Sequence, residues 1–475
     1  MSKKNKIILF GAGTLIGLLV IAAVALVFFI DVNAYKPRLE ETVSSASGMQ
    51  VSVDGRLGIS IFPGLRITLE DVHVRNKGMD VAFAREARLG IDLIPLLHRE
   101  VRLRSITLKH PLISIERNVA GTFNFEKPST TGAILPVQDF TKVSMSDATF
   151  LYTDKQSGEV FEANDCSLDV NQVRFGRGKD PGLMKHISFV AKLACREAHR
   201  NDFALSDLKV SANATKGVID LKPVTLRLFG AQGSGSIQAD FSGAVPLYHV
   251  DYSLPQFRIE EFFKMRASQK VAEGPMDFTM KLSMQGETAK EMRQSAEGQI
   301  ALRGENLTVN GTDLDEAFAR FESSQHFNLV DVGAFFFAGP VGLVVTKGYD
   351  FSNLLQASAG HSRIRKLVSD WKVEHGVAQA QDVAMATDKN RLALQGKLDF
   401  VNKQFDDVTV ALIDAKGCAK VKQAVRGSFQ NPVVEKPSML KSLAGPVLRL
   451  FEKGRDLLPG DECDVFYAGS VVSPN

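Results

Sequence analysis

From about residue 50 onward the hydrophobic positions of the chain recur with a period of two. Leu65, Ile67 and Leu69 alternate with Arg66, Thr68 and Glu70. Val224, Leu226 and Leu228 alternate with Thr225 and Arg227, and Val250, Tyr252 and Leu254 with Asp251 and Ser253. The longest run is Met276, Phe278, Met280, Leu282 and Met284, interleaved with Asp277, Thr279, Lys281 and Ser283. Leu392 with Leu394, then Val408, Val410 and Leu412, continue the habit. Successive side chains of a strand point to opposite faces, so each run predicts a strand with one apolar and one polar face. Turn signals separate the runs at Asp54-Gly55, Asn76-Lys77-Gly78, Gln156-Ser157-Gly158 and Asn310-Gly311. Gly233-Ser234-Gly235-Ser236 reads as a further hairpin turn, since no helix signal follows that would make it an anion site. The product is an antiparallel meander with one wet face. The parity flips between Val101/Leu103 and Ile106/Leu108, as a bulge or bend would require.

Helical patterns are fewer. Tyr35 to Ala46, Arg258 to Ala267, Leu314 to Ser324 and Ser362 to Lys372 read as helices, and Leu440 to Phe451 has helical spacing interrupted at Gly445-Pro446. The segment Ile7 to Ile30 is different again, an uncharged run of 24 residues. At about 1.5 Å per residue it is long enough to cross a hydrocarbon core of roughly 30 Å. Lys3, Lys4 and Lys6 precede it, which places the N-terminus in the cytoplasm and residues 31–475 on the far side of the membrane. The run ends in Phe28-Phe29-Ile30 without a small-residue cleavage site, so it reads as a retained anchor rather than a signal peptide.

So many amphipathic strands need a cover for their apolar face. A closed barrel, a sandwich, a packed core and a groove holding an apolar ligand all satisfy the pattern. If one face is a groove, Leu65, Ile67, Leu69, Val224, Leu226, Met276, Phe278, Met280 and Leu282 are candidate lining residues, and they are equally good core residues. Phe335-Phe336-Phe337 reads as a buried core segment or, in the alternative, as part of a lipid-contacting surface.

Composition narrows the function classes. With 57 basic and 54 acidic residues the net charge is +3, without the basic excess of a nucleic-acid binder. The nine histidines form no HExxH or other compact ligand set, and His73, His110 and His249 read as ordinary strand residues. No GxSxG elbow, Walker A loop or paired carboxylates stand out, so the chain reads as non-enzymatic, with no cofactor and no metal. The four cysteines, Cys166, Cys195, Cys418 and Cys463, form no CxxC pair and are compatible with disulfides in an oxidising compartment.

The order of these features resembles the AsmA family of Gram-negative envelope proteins. The resemblance runs from the anchor and DVNAYKP (31–37) through GMQVSVDGRLGISIFPGLRITLEDVHVRN (48–76), AREARLGIDLIPLLHREVRLRSITLKHPLISIERNVAGTFNF (84–125) and VSMSDATFLYTDKQSGEVFEANDCSLDV (143–170). It resumes in NGTDLDEAF (310–318), GVAQAQDVAMATDKNRLALQGKLDF (376–400) and VRGSFQNPVVEKP (425–437), and is thin between about 175 and 270. It implies a mainly β protein with a few helices: one transmembrane helix, then an elongated, curled antiparallel sheet forming a hydrophobic groove, similar to chorein-type bridge-like lipid transfer proteins. About 25 strands at ~4.8 Å would make a trough on the order of 120 Å. The implied organisation is a cytoplasmic tail (1–6), the membrane helix (7–30), an N-terminal β region (31–170), a middle groove region (171–299) and a C-terminal region (300–475). The resemblance also implies a body in the periplasm, anchored in the inner membrane, that supports outer-membrane biogenesis by moving phospholipid between the two membranes. Its partners would be membrane lipids and outer-membrane or other envelope proteins. The alternative is a scaffolding factor for outer-membrane protein insertion that carries no lipid. The same resemblance implies Cys418 and Cys463 as partners, with Cys166 and Cys195 as a second pair.

Overall fold

A computed structural model of the chain describes residues 32–60, 64–92, 95, 102–125, 140–175, 183–200, 203–264, 272–311, 313–324, 360–439, 463 and 465–474. The expected membrane helix (7–30), the Phe335-Phe336-Phe337 segment and the helical spacing at 440–451 lie outside these residues. Among the described residues no helix is long and apolar enough to cross a membrane. The chain divides into two compact units, residues 1–204 with 212–215, and residues 205–211 with 216–475.

The first unit opens with a 3-10 turn (Val32–Tyr35) and helix α1 (Lys36–Ser47). Pro37 sits in the first turn of α1, where its missing N–H is not needed, and Gly48 ends it with φ 70°. Strands β1 (Gln50–Val53) and β2 (Leu57–Ser60) both pair with β3 (Arg66–Asn76). The ladder continues through β4 (Met79–Ile91), β5 (Leu103–Arg117), β6 (Phe140–Asp154), β7 (Glu159–Phe175), then helix α2 (Leu183–His186) and β8 (Ile187–Arg200). Helix α1 closes the open edge of this ladder. Its Glu40 carboxylate accepts from the Val53 N–H at 2.7 Å, Ser44 Oγ accepts from the Val51 N–H at 2.8 Å, and Asn33 accepts from Leu57 N–H at 2.9 Å. The edge donors that would otherwise invite another strand are thereby satisfied. Leu39 of α1 packs on a buried cluster of Val53, Leu57, Leu69 and Ala87.

One pair departs from the antiparallel meander: β5 and β6 are parallel. Residues 118–139 join them, long enough for the crossover that a parallel pair demands and a tight hairpin cannot supply. The parity flip before Ile106 is a bulge, with Gly90 opposite Ser105 but Ile91 opposite Leu103, leaving Arg104 extra. Further breaks in alternation fall at Asp71, His110, Asp147 and Asp165, all mid-strand with φ near +50°. Asp and His enter this left-handed region more readily than branched residues, and each such residue bends its strand.

β9 (Phe203–Thr215) contributes segments to both units. The second unit is an antiparallel ladder of β10 (Val218–Leu228), β11 (Ala231–Asp240), β12 (Leu247–Arg258), β14 (Pro275–Gln285), β15 (Glu297–Asn310), β16 (His361–Glu374), β17 (Val377–Ala386), β18 (Arg391–Asp399), β19 (Gln404–Ile413) and β20 (Ala419–Ser428). The short β13 (Ala272–Glu273) pairs with β15, and β21 (Asn431–Val434) and β22 (Ser438–Met439) share the outer edge of β20. Helices α3 (Ile259–Lys264), α4 (Ala289–Gln294) and α5 (Leu314–Ser324) sit in connections. α4 starts with a reciprocal capping box between Thr288 and Glu291.

Two local readings are corrected. Ser362 to Lys372 is strand β16, not a helix. Ile364, Leu367, Val368 and Trp371 mimic a helical stripe because Val368 is buried on one face of the strand while Leu367 and Trp371 are buried on the other. Gly233-Ser234-Gly235-Ser236 lies inside β11 rather than in a turn; the turn is at Phe229-Gly230. A Cβ on Gly233 would stand only 2.7 Å from Cζ of Tyr252, whose ring lies over both glycines of β11. The glycines are there to make room for that ring.

Candidate functional site

The strand register sorts the side chains of each unit onto two faces, because residues directly opposite one another on paired strands share a face. In the first unit Ile67, Leu89, Ile106, Val143, Val170 and Ala191 form one row across six strands. The adjoining row is Leu69, Ala87, Leu108, Met145, Leu168 and Leu193. The opposite face carries Lys109–Glu86 and Lys142–Asp169 ion pairs at 3.2 and 3.1 Å, with Thr107 hydrogen-bonded to Ser144.

The second unit repeats the arrangement on more strands. Leu221, Ile237, Val250, Leu282 and Gly298 form a row, and Gly235, Tyr252, Met280 and Ile300 the next. Leu254, Phe278 and Leu302 follow, then Phe257, Met276 and Gly304. Bulges at Lys222-Pro223 and Pro255-Gln256 restore the parity each time, so the apolar residues stay on one side. From β10 to β15 this face carries no charged side chain, and its polar atoms are the hydroxyls of Tyr248 and Tyr252. The Tyr252 hydroxyl is buried without a hydrogen-bond partner, and burial pushes its pKa up to about 12, so it is neutral.

Burial divides this face into two parts. Val250, Tyr252, Phe278, Met280, Leu282 and Ile300 are half-buried, sheltered by lateral neighbours. Leu254, Phe257 and Met276 are closed off at 1–2% exposure. Across β16–β20 the same face is filled: Leu367, Met385, Leu392 and Leu412 are fully buried. The nine candidate lining residues therefore split. Leu69, Val224 and Met276 are buried among their own neighbours, while Leu65, Ile67, Leu226, Phe278, Met280 and Leu282 are half-buried. Val250, Tyr252 and Ile300 share this surface with Met280 and Leu282 without being among the nine candidates, although alternation in their own strands could have found them.

The other face of β16–β20 is covered by the C-terminal segment. Phe466, Tyr467 and Val471 pack onto Val368, Ala384, Ala393 and Ala411. Buried Arg391 donates to the carbonyls of Val471 at 2.8 Å and Asp414 at 2.7 Å, and Gln395 donates to that of Phe466 at 2.7 Å. Asp382 accepts from the Tyr467 hydroxyl and from the Ser470 N–H. Burial alone would raise the Asp382 carboxyl, but these hydrogen bonds and the charge of Lys366 outweigh it and hold it below the usual carboxylate range. Burial and the Asp382 contact raise Tyr467 correspondingly. A disulfide between Cys418 and Cys463, with Cα atoms 6.0 Å apart, ties the segment down, and Cys166–Cys195 joins directly opposed residues of β7 and β8.

An open cleft of about 970 Å³ lies against the charged face of β10–β16, lined by Asp220, His249, Asp251, Lys281, Lys372 and Glu374 among others. Within it Lys281 pairs with Asp251 at 3.4 Å and Lys372 with Glu374 at 2.6 Å, while His249 bonds Ser283 at 2.8 Å. The Glu374 pairing raises Lys372 and lowers Glu374, moving both further from neutrality rather than towards it. Among the described residues no group of His, Cys, Asp and Glu is placed to hold a metal ion.

The family model of the AsmA family matches residues 1–181 and 185–336, well over half of the chain. The match runs through residues 175–270, where the quoted segments are lacking, and ends before the C-terminal segments that contain Cys418 and Cys463. Protein AsmA of Escherichia coli (strain K12) is 24% identical over 259 residues, which is 48% of this chain. That alignment spans 38% of the length of the E. coli protein. No solved structure matches the chain.

Proposed function

Since the chain belongs to the AsmA family, we propose that it is a non-enzymatic envelope protein that holds phospholipid acyl chains on the apolar face of its sheets and supports outer-membrane biogenesis by moving them between membranes. Residues 7–30 anchor it in the inner membrane and the body stands in the periplasm. The observation that carries this reading is the face of β10–β15, uncharged throughout and half-buried at Val250, Tyr252, Met280, Leu282 and Ile300. The part of this apolar surface left open is costly in water, and each methylene laid on it recovers about 0.8 kcal/mol. The two disulfides accord with an oxidising compartment.

The test is native mass spectrometry with lipid extraction on the full chain, purified from a bacterial envelope. Phospholipid bound in stoichiometric amount supports the reading; a folded, lipid-free chain sinks it. A second reading, a scaffold for outer-membrane protein insertion, is favoured by the charged cleft on the opposite face of the same strands. Under that reading, crosslinkers at His249 or Lys372 would capture envelope proteins with no lipid dependence.

A further inference from the structure

The chain contains a single tryptophan, Trp371, and its position marks where the apolar face of the second unit changes character. In the row Tyr252, Met280, Ile300, Trp371 the register is continuous, each residue opposite the next. The first three are half-buried, whereas Trp371 is only 7% exposed. Its neighbour one row over, Val373, is 5% exposed, and beyond it Ala378 on β17 is at 2%. The indole is locked, because its Nε1–H donates to Ser369 Oγ at 2.7 Å on the same face.

We infer that Trp371 is the end wall of the acyl-chain trough in this unit, so that a chain lying across β11–β15 stops with its terminal methyl against the indole. The inference rests on the proposed lipid-binding function and adds a boundary to it. An uncharged face admits hydrocarbon and excludes a headgroup, whose charge would lose its hydration there without a partner. Four inter-strand steps from β11 to β16 span roughly 19 Å at ~4.8 Å each. That is close to the ~15 Å that one leaflet contributes to a hydrocarbon core of about 30 Å. Past β16 the row of Trp371 meets half-buried Ala380 at a bulge, and the rows on either side of it are closed by Ala378 at 2% exposure and by Met385, Leu392 and Leu412 at zero, which leaves hydrocarbon no continuous path along the face. Lipid therefore enters and leaves this stretch on the near side of β16.

The single tryptophan makes the wall directly observable. The full chain is loaded with phosphatidylcholine carrying bromine either near the terminal methyl or near the ester end of one acyl chain, and occupancy is measured by extraction. Bromine quenches indole fluorescence on contact. At equal occupancy, terminal bromine is expected to quench Trp371 several-fold more than ester-side bromine. The double variant W371F/T279W moves the reporter to the polar face of the strand that bears Met280, and quenching should disappear. Equal quenching by the two lipids, or none at full occupancy, overturns the wall while leaving the lipid reading standing. Absence of bound lipid overturns both.

Discussion

The alternation on β14 offers a parity test of the trough, because adjacent residues of one strand face opposite ways. Met280 lies half-buried on the apolar face, directly opposite Tyr252 and Ile300, while Thr279 is exposed on the charged face opposite Ser253 and Ala301. Met280→Asp sets a carboxylate among side chains that carry no charge, and the carboxylate keeps its hydration shell. If that shell denies contact to three methylenes of a bound chain, the loss is about 2.4 kcal/mol at ~0.8 kcal/mol each, roughly 50-fold in affinity. Thr279→Asp adds the same charge to the same strand and leaves the trough untouched. The assay is phospholipid retained per protein after purification, with circular dichroism confirming that both variants fold. M280D should lose its lipid and T279D should retain wild-type occupancy. Equal loss in both variants, or full retention in M280D, would refute the assignment of the apolar face as the binding surface.

Other outcomes follow from the packing of the second unit. Leu412→Ala empties a fully buried position and should destabilise this unit by about 2–5 kcal/mol, read as a lowered urea midpoint, with lipid binding unchanged under native conditions. Reduction of Cys418–Cys463 opens a loop with a sequence separation of 45 and should cost about 4 kcal/mol by the chain-entropy relation, seen as a lowered melting temperature that C418S/C463S reproduces without reductant. The Asp382 carboxyl is depressed below its ordinary 3.8 in the folded state, so the stability it lends is complete above the unfolded value and is lost as pH falls through the folded one. Proteolysis near residues 465–474 should therefore be unchanged from pH 8 to about pH 5 and rise only below about pH 4, given an unfolded Asp pKa near 3.9. D382N should show raised cleavage at neutral pH and no further acid step.

Much of this fold is legible in the chain because its signals are local. Period-two alternation specifies a strand and its two faces without reference to any partner, and the runs at Leu65–Leu69, Val224–Leu228 and Met276–Met284 lie in or beside strands as read. Helix α5 coincides with the expected Leu314 to Ser324, and all four quoted turn signals end or connect strands. Three features needed the tertiary structure. The parallel pairing of β5 with β6 depends on where a long connection returns the chain, which no local pattern encodes. The stripe of β16 reads as a helix because Val368 is buried on the face opposite Leu367 and Trp371, under a C-terminal segment some hundred residues on. The glycines of β11 look like turn residues until the Tyr252 ring from the next strand is found above them. The same reason separates Met276 from Met280. Alternation puts both on the apolar face, but only the elements packed around that face decide that Met276 is sealed at 2% exposure while Met280 stays open enough to meet a ligand.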